Sequence, residues 1–196
     1  MPLYRHYKDT LLHIHIPKTG GTSVKKAVEY YGGLVSFISK KPTPQCGHVP
    51  PQHMDIDHTK IFFDLGKVPA FAMVRDPWHR TVSEFVWTTS TFHWKIINSW
   101  LEQKFLALDH KRYFNHFLPQ HKFINKDVSL FKYESDWNKL IKYIETHLHM
   151  VNFDINFREQ SRHKYTPPLI KDCLGNEIRK EWEKLYKEDL DLHQSL

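Results

Sequence analysis

The chain has 196 residues, 28 Lys and Arg against 22 Asp and Glu for a formal charge of +6, and 15 His but only two Cys. With 40% hydrophobic and 14% aromatic residues it carries enough apolar surface to offset chain entropy, which excludes a disordered polymer. A chain of this length buries about 70% of its extended surface, so one domain over residues 1–196 is expected. Cys46 and Cys173 make neither a disulfide framework nor a four-ligand zinc site, and a cytoplasmic setting follows as the expectation. The amino terminus lacks a signal-type apolar segment, and no run of about 20 apolar residues is present to span a bilayer. No membrane association is therefore expected. The positive excess points to an anionic partner without choosing one.

Thr10–Ile16 (TLLHIHI) is short, β-rich and closed by Pro17, and reads as a strand. After PKTGGTS, the residues Val24, Ala27, Val28 and Tyr31 recur at helical spacing, with Gly32-Gly33 as the stop. Leu34–Ile38 reads as a second strand and the proline-rich stretch 39–51 as loop. Lys60–Phe63 and Pro69–Val74 are short apolar runs of the kind found in buried strands. Asp76-Pro77 is a helix start, a cap residue followed by Pro at the first helical position, for a helix carrying Val82, Phe85 and Val86 inward.

A second helical pattern runs through Trp94, Ile97, Leu101, Phe105 and Leu108. Val128–Tyr133 reads as a strand, Ser135–Leu148 as a helix, and Glu177–Leu190 as an amphipathic terminal helix. Strands alternating with helices imply an α/β fold, a mostly parallel central sheet flanked by helices. Ligands in such folds sit at the carboxyl ends of the strands, where two loops stand out.

The first loop is Pro17-Lys18-Thr19-Gly20-Gly21-Thr22-Ser23. Two glycines let backbone N–H groups turn toward a ligand, the helix start adds free donors and partial positive charge, and Lys18 adds a full charge. Thr19, Thr22 and Ser23 add hydroxyls. The order differs from the Walker A loop, in which Lys follows the glycines beside a magnesium-holding Ser or Thr. A magnesium-dependent kinase or ATPase, with Ile61–Asp64 as its second motif, is the alternative reading. The second loop, Arg75-Asp76-Pro77-Trp78-His79-Arg80 with Ser83 one turn on, places a guanidinium at a strand end, where it grips phosphate bidentately.

HIPKTGGTS followed about fifty residues later by AMVRDPWHRTVSEF resembles the carbohydrate sulfotransferases related to heparan sulfate 2-O-sulfotransferases. The resemblance implies a P-loop-like three-layer fold and sulfuryl transfer from 3′-phosphoadenosine 5′-phosphosulfate (PAPS) to a hydroxyl, on a saccharide, with no metal required. It implies that Pro17, Lys18, Thr19, Gly20, Gly21, Thr22 and Ser23 hold the 5′-phosphosulfate, and that Arg75 and Ser83 hold the 3′-phosphate. Arg80 stands where the family pattern is shifted. Arg162 and Lys164 match a basic loop that closes over the nucleotide.

Such a transfer needs positive charge on the leaving phosphate, which Lys18 supplies, and a base for the acceptor. Histidine suits that second role. Cys46-Gly47-His48-Val49 resembles the segment carrying the base in the 2-O-sulfotransferases, which assigns His48. His15, His53, Asp64 and Glu84 are the other candidates. His13 and His15 alternate on the strand and read as structural. No nucleic-acid motif occurs, and the spacing of Trp94 with Ile97 and Leu101 reads as core packing rather than a base-stacking surface.

Overall fold

In a computed structural model, which describes residues 1–106, 113–155 and 166–196, the chain opens on a hairpin. Leu3–His6 (β1) and Asp9–His13 (β2) pair antiparallel, Leu3 opposite Leu12 and His6 opposite Asp9. The reading of the sequence contains β2 but not β1, whose LYRH is short and half polar. Gly21–Tyr30 (α1) follows, burying the expected Val24, Ala27 and Val28. Gly32, at φ +82°, ends it in the left-handed region that favours glycine. Leu34–Ser36 (β3) then pairs antiparallel with β1.

Ala70–Val74 (β4) is buried along its whole length and lies parallel to β2, while Val128–Lys132 (β5) lies parallel to β4 in a register running from Ala70↔Val128 to Val74↔Lys132. The order is β3-β1-β2-β4-β5. The sheet is therefore mixed: β2, β3, β4 and β5 run the same way, in keeping with the mostly parallel sheet expected, while β1, inserted between β2 and β3, runs against both neighbours.

Ile56–Phe62 forms a helix (α2) where a strand is expected over Lys60–Phe63. Asp55 nucleates it, its carboxylate accepting from the N–H of His58, and a four-residue apolar run does not by itself separate helix from strand. Pro77–Thr89 (α3) begins as expected, with Asp76 accepting from the N–H of His79 at 2.7 Å. Ile97–Leu106 (α4), Trp137–Leu148 (α5) and Ile170–Cys173 (α6) follow. The expected terminal helix is two, Asn176–Leu185 (α7) and Lys187–Ser195 (α8), broken at Tyr186.

Alternate strand residues face opposite sides. Leu11, Phe71, Met73 and Phe131 pack against Val24 and Val28 of α1 and Leu140, Ile144 and Leu148 of α5. Leu12, Ala70, Ala72 and Val128 pack instead with Cys46, Val49, Met54 and Phe123. A third cluster joins α3, α4 and α7 through Trp78, Phe85, Trp100 and Trp182, so three of the six Trp are core residues. Each large apolar side chain so buried contributes about 2 kcal/mol. Cys46 and Cys173 are free thiols. Because β2 and β4 are adjacent and parallel, the two basic loops that follow them emerge side by side.

Candidate active site

The first loop is held both by its neighbours and by one of its own hydroxyls. The Pro17 carbonyl accepts from Arg80 Nε at 3.1 Å, and the Lys18 carbonyl accepts from Arg75 Nη1 at 3.0 Å. Lys18 takes a left-handed φ of +68°, and its ammonium lies 4.9 Å from the centre of the Trp87 ring. Thr19 is fully buried and donates its hydroxyl to the Ile16 carbonyl at 2.8 Å, so that hydroxyl shapes the loop. Gly20, at φ +88°, precedes α1, which has no side-chain cap and no acidic residue in its first turn. A Cβ on Gly20 would stand 2.8 Å from Trp137 and 3.1 Å from Tyr133, and one on Gly21 would overlap the His15 ring. Thr22 is exposed and Ser23 buried.

The second loop is clamped at Arg75. Its N–H donates to Gln120 Oε1 at 3.0 Å and its carbonyl accepts from Gln120 Nε2 at 2.8 Å, so one amide side chain stands in for a neighbouring strand. Gln120 is fixed in turn by Asp189 of α8, a fully buried carboxylate that accepts from the N–H groups of Gln120 and His121. The Arg75 guanidinium lies 4.5 Å from the centre of the Tyr133 ring. Its Nε is buried without a partner among the described residues, a donor left over once the Lys18 carbonyl is satisfied. Ser83 is half-buried on α3 and its hydroxyl makes no hydrogen bond to a described residue. Arg80, by contrast, is buried and structural: besides Pro17, its Nη2 donates to the His116 carbonyl at 2.8 Å.

The histidines divide sharply. His48 is exposed, at φ +62°, and its side chain bonds no described residue. It follows Gly47, whose missing side chain makes room for the His58 ring. His13, His15, His53 and His116 instead form a file of rings, with centroid separations of 5.4, 5.1 and 4.8 Å. His13 bonds the Tyr4 hydroxyl at 2.7 Å and stacks on Phe71. Burial holds His13 and His53 well below the ordinary imidazole value. The pKa of His15 is pushed down to about 3, first by burial and then by its neighbours the amino terminus, His116 and Lys18. The file ends at Glu84, whose carboxylate accepts from His116 Nδ1 at 2.8 Å. Among the described residues no group of three ligating side chains is placed to hold a metal ion.

Asp64, the other carboxylate candidate, accepts from the N–H of Gly66 and pairs with Lys67. It lines a recess of about 520 Å³ that contains no residue of either basic loop. Arg162 and Lys164 lie outside the described residues. His116 and Asp189 carry much of the site's geometry, yet no local motif marks them in the sequence.

Two basic loops lie side by side after adjacent parallel strands of an α/β protein, tied by the Arg75–Lys18 and Arg80–Pro17 hydrogen bonds. A model of the sulfotransferase family matches residues 3–194, and the chain belongs to that family. It is thus a transferase of sulfuryl groups, and the family implies an acceptor that bears a hydroxyl. No curated protein and no solved structure gives a significant match. No helix among the described residues is long and apolar enough to cross a membrane.

Proposed function

We propose that this chain, with a P-loop-like three-layer arrangement, transfers the sulfuryl group of PAPS to a hydroxyl of a saccharide. The observation that carries the reading is the Arg75–Lys18 link: two cationic loops, one hydrogen bond apart, with the buried Arg75 Nε still lacking an acceptor among the described residues. The uncapped start of α1 and Lys18 suit the 5′-phosphosulfate, a doubly anionic end. Arg75 and Ser83 suit the 3′-phosphate, and Arg162 and Lys164 are assigned over the nucleotide by the resemblance. Lys18 stabilises the leaving phosphate, and the resemblance gives the acceptor's base to His48. The reaction so drawn requires no metal. Trp87 and Phe92, 62% and 37% exposed, offer aromatic faces on which a sugar ring packs.

The kinase or ATPase reading loses its second motif, since Asp64 follows helix α2 rather than a strand. The test is a thermal shift and titration with adenosine 3′,5′-bisphosphate (PAP) and with ATP, then transfer from labelled PAPS to a saccharide panel in the presence of a chelator. Tight PAP binding, weak ATP binding and chelator-insensitive transfer are expected. Preference for ATP, or activity lost on chelation, would overturn the proposal.

A further inference from the structure

This inference rests on the sulfuryl-transfer reading and concerns the side chain that takes the acceptor's proton. Glu84 of α3 is buried, 3% exposed, one residue beyond Ser83. It accepts from His116 Nδ1 at 2.8 Å, which fixes the neutral tautomer and leaves the Nε2 lone pair available; Nε2 bonds no described residue. Three neighbours hold the residue. The Trp87 indole stacks on it at 5.3 Å, with the rings 26° apart, the His53 ring meets it edge-on, and Arg80 grips its carbonyl.

The charged and titratable groups around it are Glu84, Arg80, His53, His15 and Lys18, whose ammonium lies near the same Trp87 indole. His15 is close enough to be perturbed by both His116 and Lys18, so the His116 imidazole and the Lys18 ammonium share one neighbourhood. A buried carboxylate that orients an imidazole beside the charge meant for the leaving group is the arrangement general-base catalysis requires. His48, exposed and bonded by its side chain to no described residue, lacks it.

We propose that His116 is the catalytic base of the transfer, with Glu84 a positioning residue that fixes its tautomer and holds the imidazolium. As the acceptor oxygen bonds to sulfur, its proton passes to His116 Nε2. The bond from sulfur to the bridging phosphate oxygen breaks, and the electron pair stays on that oxygen beside Lys18. Nothing is oxidised or reduced.

The full chain is assayed with ³⁵S-PAPS against a panel of unsulfated polysaccharides and, in parallel, as slow PAPS hydrolysis with water in the acceptor's place. His116→Asn is expected to lower kcat about 100-fold or more, a deeper loss than His48→Asn, with PAP affinity kept within about twofold. Glu84→Gln is expected to lower kcat and move the acid limb of its pH profile to lower pH, because the imidazolium loses its counter-charge. Glu84→Asp restores part of both. In ¹⁵N-labelled protein at a pH above that acid limb, Nε2 of His116 is expected to be the unprotonated nitrogen.

A fall in kcat for His116→Asn only in step with lost PAP affinity, or a Glu84→Gln profile that does not move, would make the pair structural and overturn the proposal. Collapse of turnover in His48→Asn with His116→Asn active returns the base to His48 and leaves the sulfotransferase reading standing. Wild-type chain that neither binds PAP nor uses PAPS removes that reading, and His116's role with it. A protonated Nε2 overturns the assignment whichever acceptor is used.

Discussion

The buried guanidinium of Arg80 donates through Nε to the carbonyl oxygen of Pro17 at 3.1 Å. Because its Nη2 also holds the His116 carbonyl, one side chain of α3 sets the height of the first basic loop and the position of the imidazole beside it. Arg80→Met keeps much of the volume but leaves two carbonyls without their donor. A charge-assisted hydrogen bond contributes about 1.5–3 kcal/mol, so a loss of about 3 kcal/mol is expected in urea denaturation. Arg80→Lys is expected to be little better, since one ammonium does not reproduce the forked geometry.

Arg75 makes a different kind of prediction, because its cost falls on ligand rather than on fold. The guanidinium bonds the Lys18 carbonyl, stacks on Tyr133 and keeps a spare buried Nε. Lys at this position retains the charge but loses the planar fork. Arg75→Lys is expected to weaken PAP about tenfold or more in calorimetric titration, with the unfolding midpoint nearly unchanged. A PAP affinity equal to that of wild type would detach Arg75 from the 3′-phosphate.

These two arginines show how much of the site was legible in sequence. Arg75, Lys18 and the loop glycines stand in contiguous motifs, and the strand–loop–helix context of each is written in local periodicity and caps such as Asp76-Pro77. The mixed sheet was not legible: β1 and β3 are short strands with polar or exposed residues, and their pairing is decided by contacts across the chain. Nor was α2, whose cap at Asp55 outweighs the strand-like look of Lys60–Phe63. His116 and Glu84 lie 32 residues apart and meet only because the segment around His116 packs against α3. No local pattern records such a meeting, whereas His48 sits in a segment that resembles a known one.

The buried histidines impose a pH dependence whose sign is fixed. His13, His15 and His53 stay neutral in the folded chain, chiefly because burial penalises the charged ring, and His15 reaches a pKa of about 3. The unfolded chain takes up protons near the ordinary value of 6.5, so between about pH 6.5 and the folded pKa it binds more protons than the native state. Stability is therefore full above about pH 6.5 and falls as the solution is acidified, by up to about 1.4 kcal/mol per pH unit for each ring. Urea denaturation at pH 7.5 and pH 5 is expected to show this loss. His13→Gln, which keeps a polar partner for Tyr4, is expected to reduce the slope by up to about 1.4 kcal/mol per pH unit.

The first loop's glycine doublet yields the sharpest test of how the histidine file and the anion site are joined. Gly21 begins α1 at an ordinary helical position, so what forbids a side chain there is the His15 ring that a Cβ would overlap. That ring is held between His13 and His53 and has little room to withdraw. Gly21→Ala is expected to cost about 1–3 kcal/mol, the usual range for overpacking, and to weaken PAP by shifting the loop. His15→Ala alone opens a cavity and destabilises for its own reason. In the double variant the new methyl fills part of the space the imidazole leaves, so the combined loss should fall short of the sum by about 1 kcal/mol or more, with PAP affinity partly restored. Strictly additive losses would mean that Gly21 is required by the loop itself, and that the histidine file does not set the loop's position.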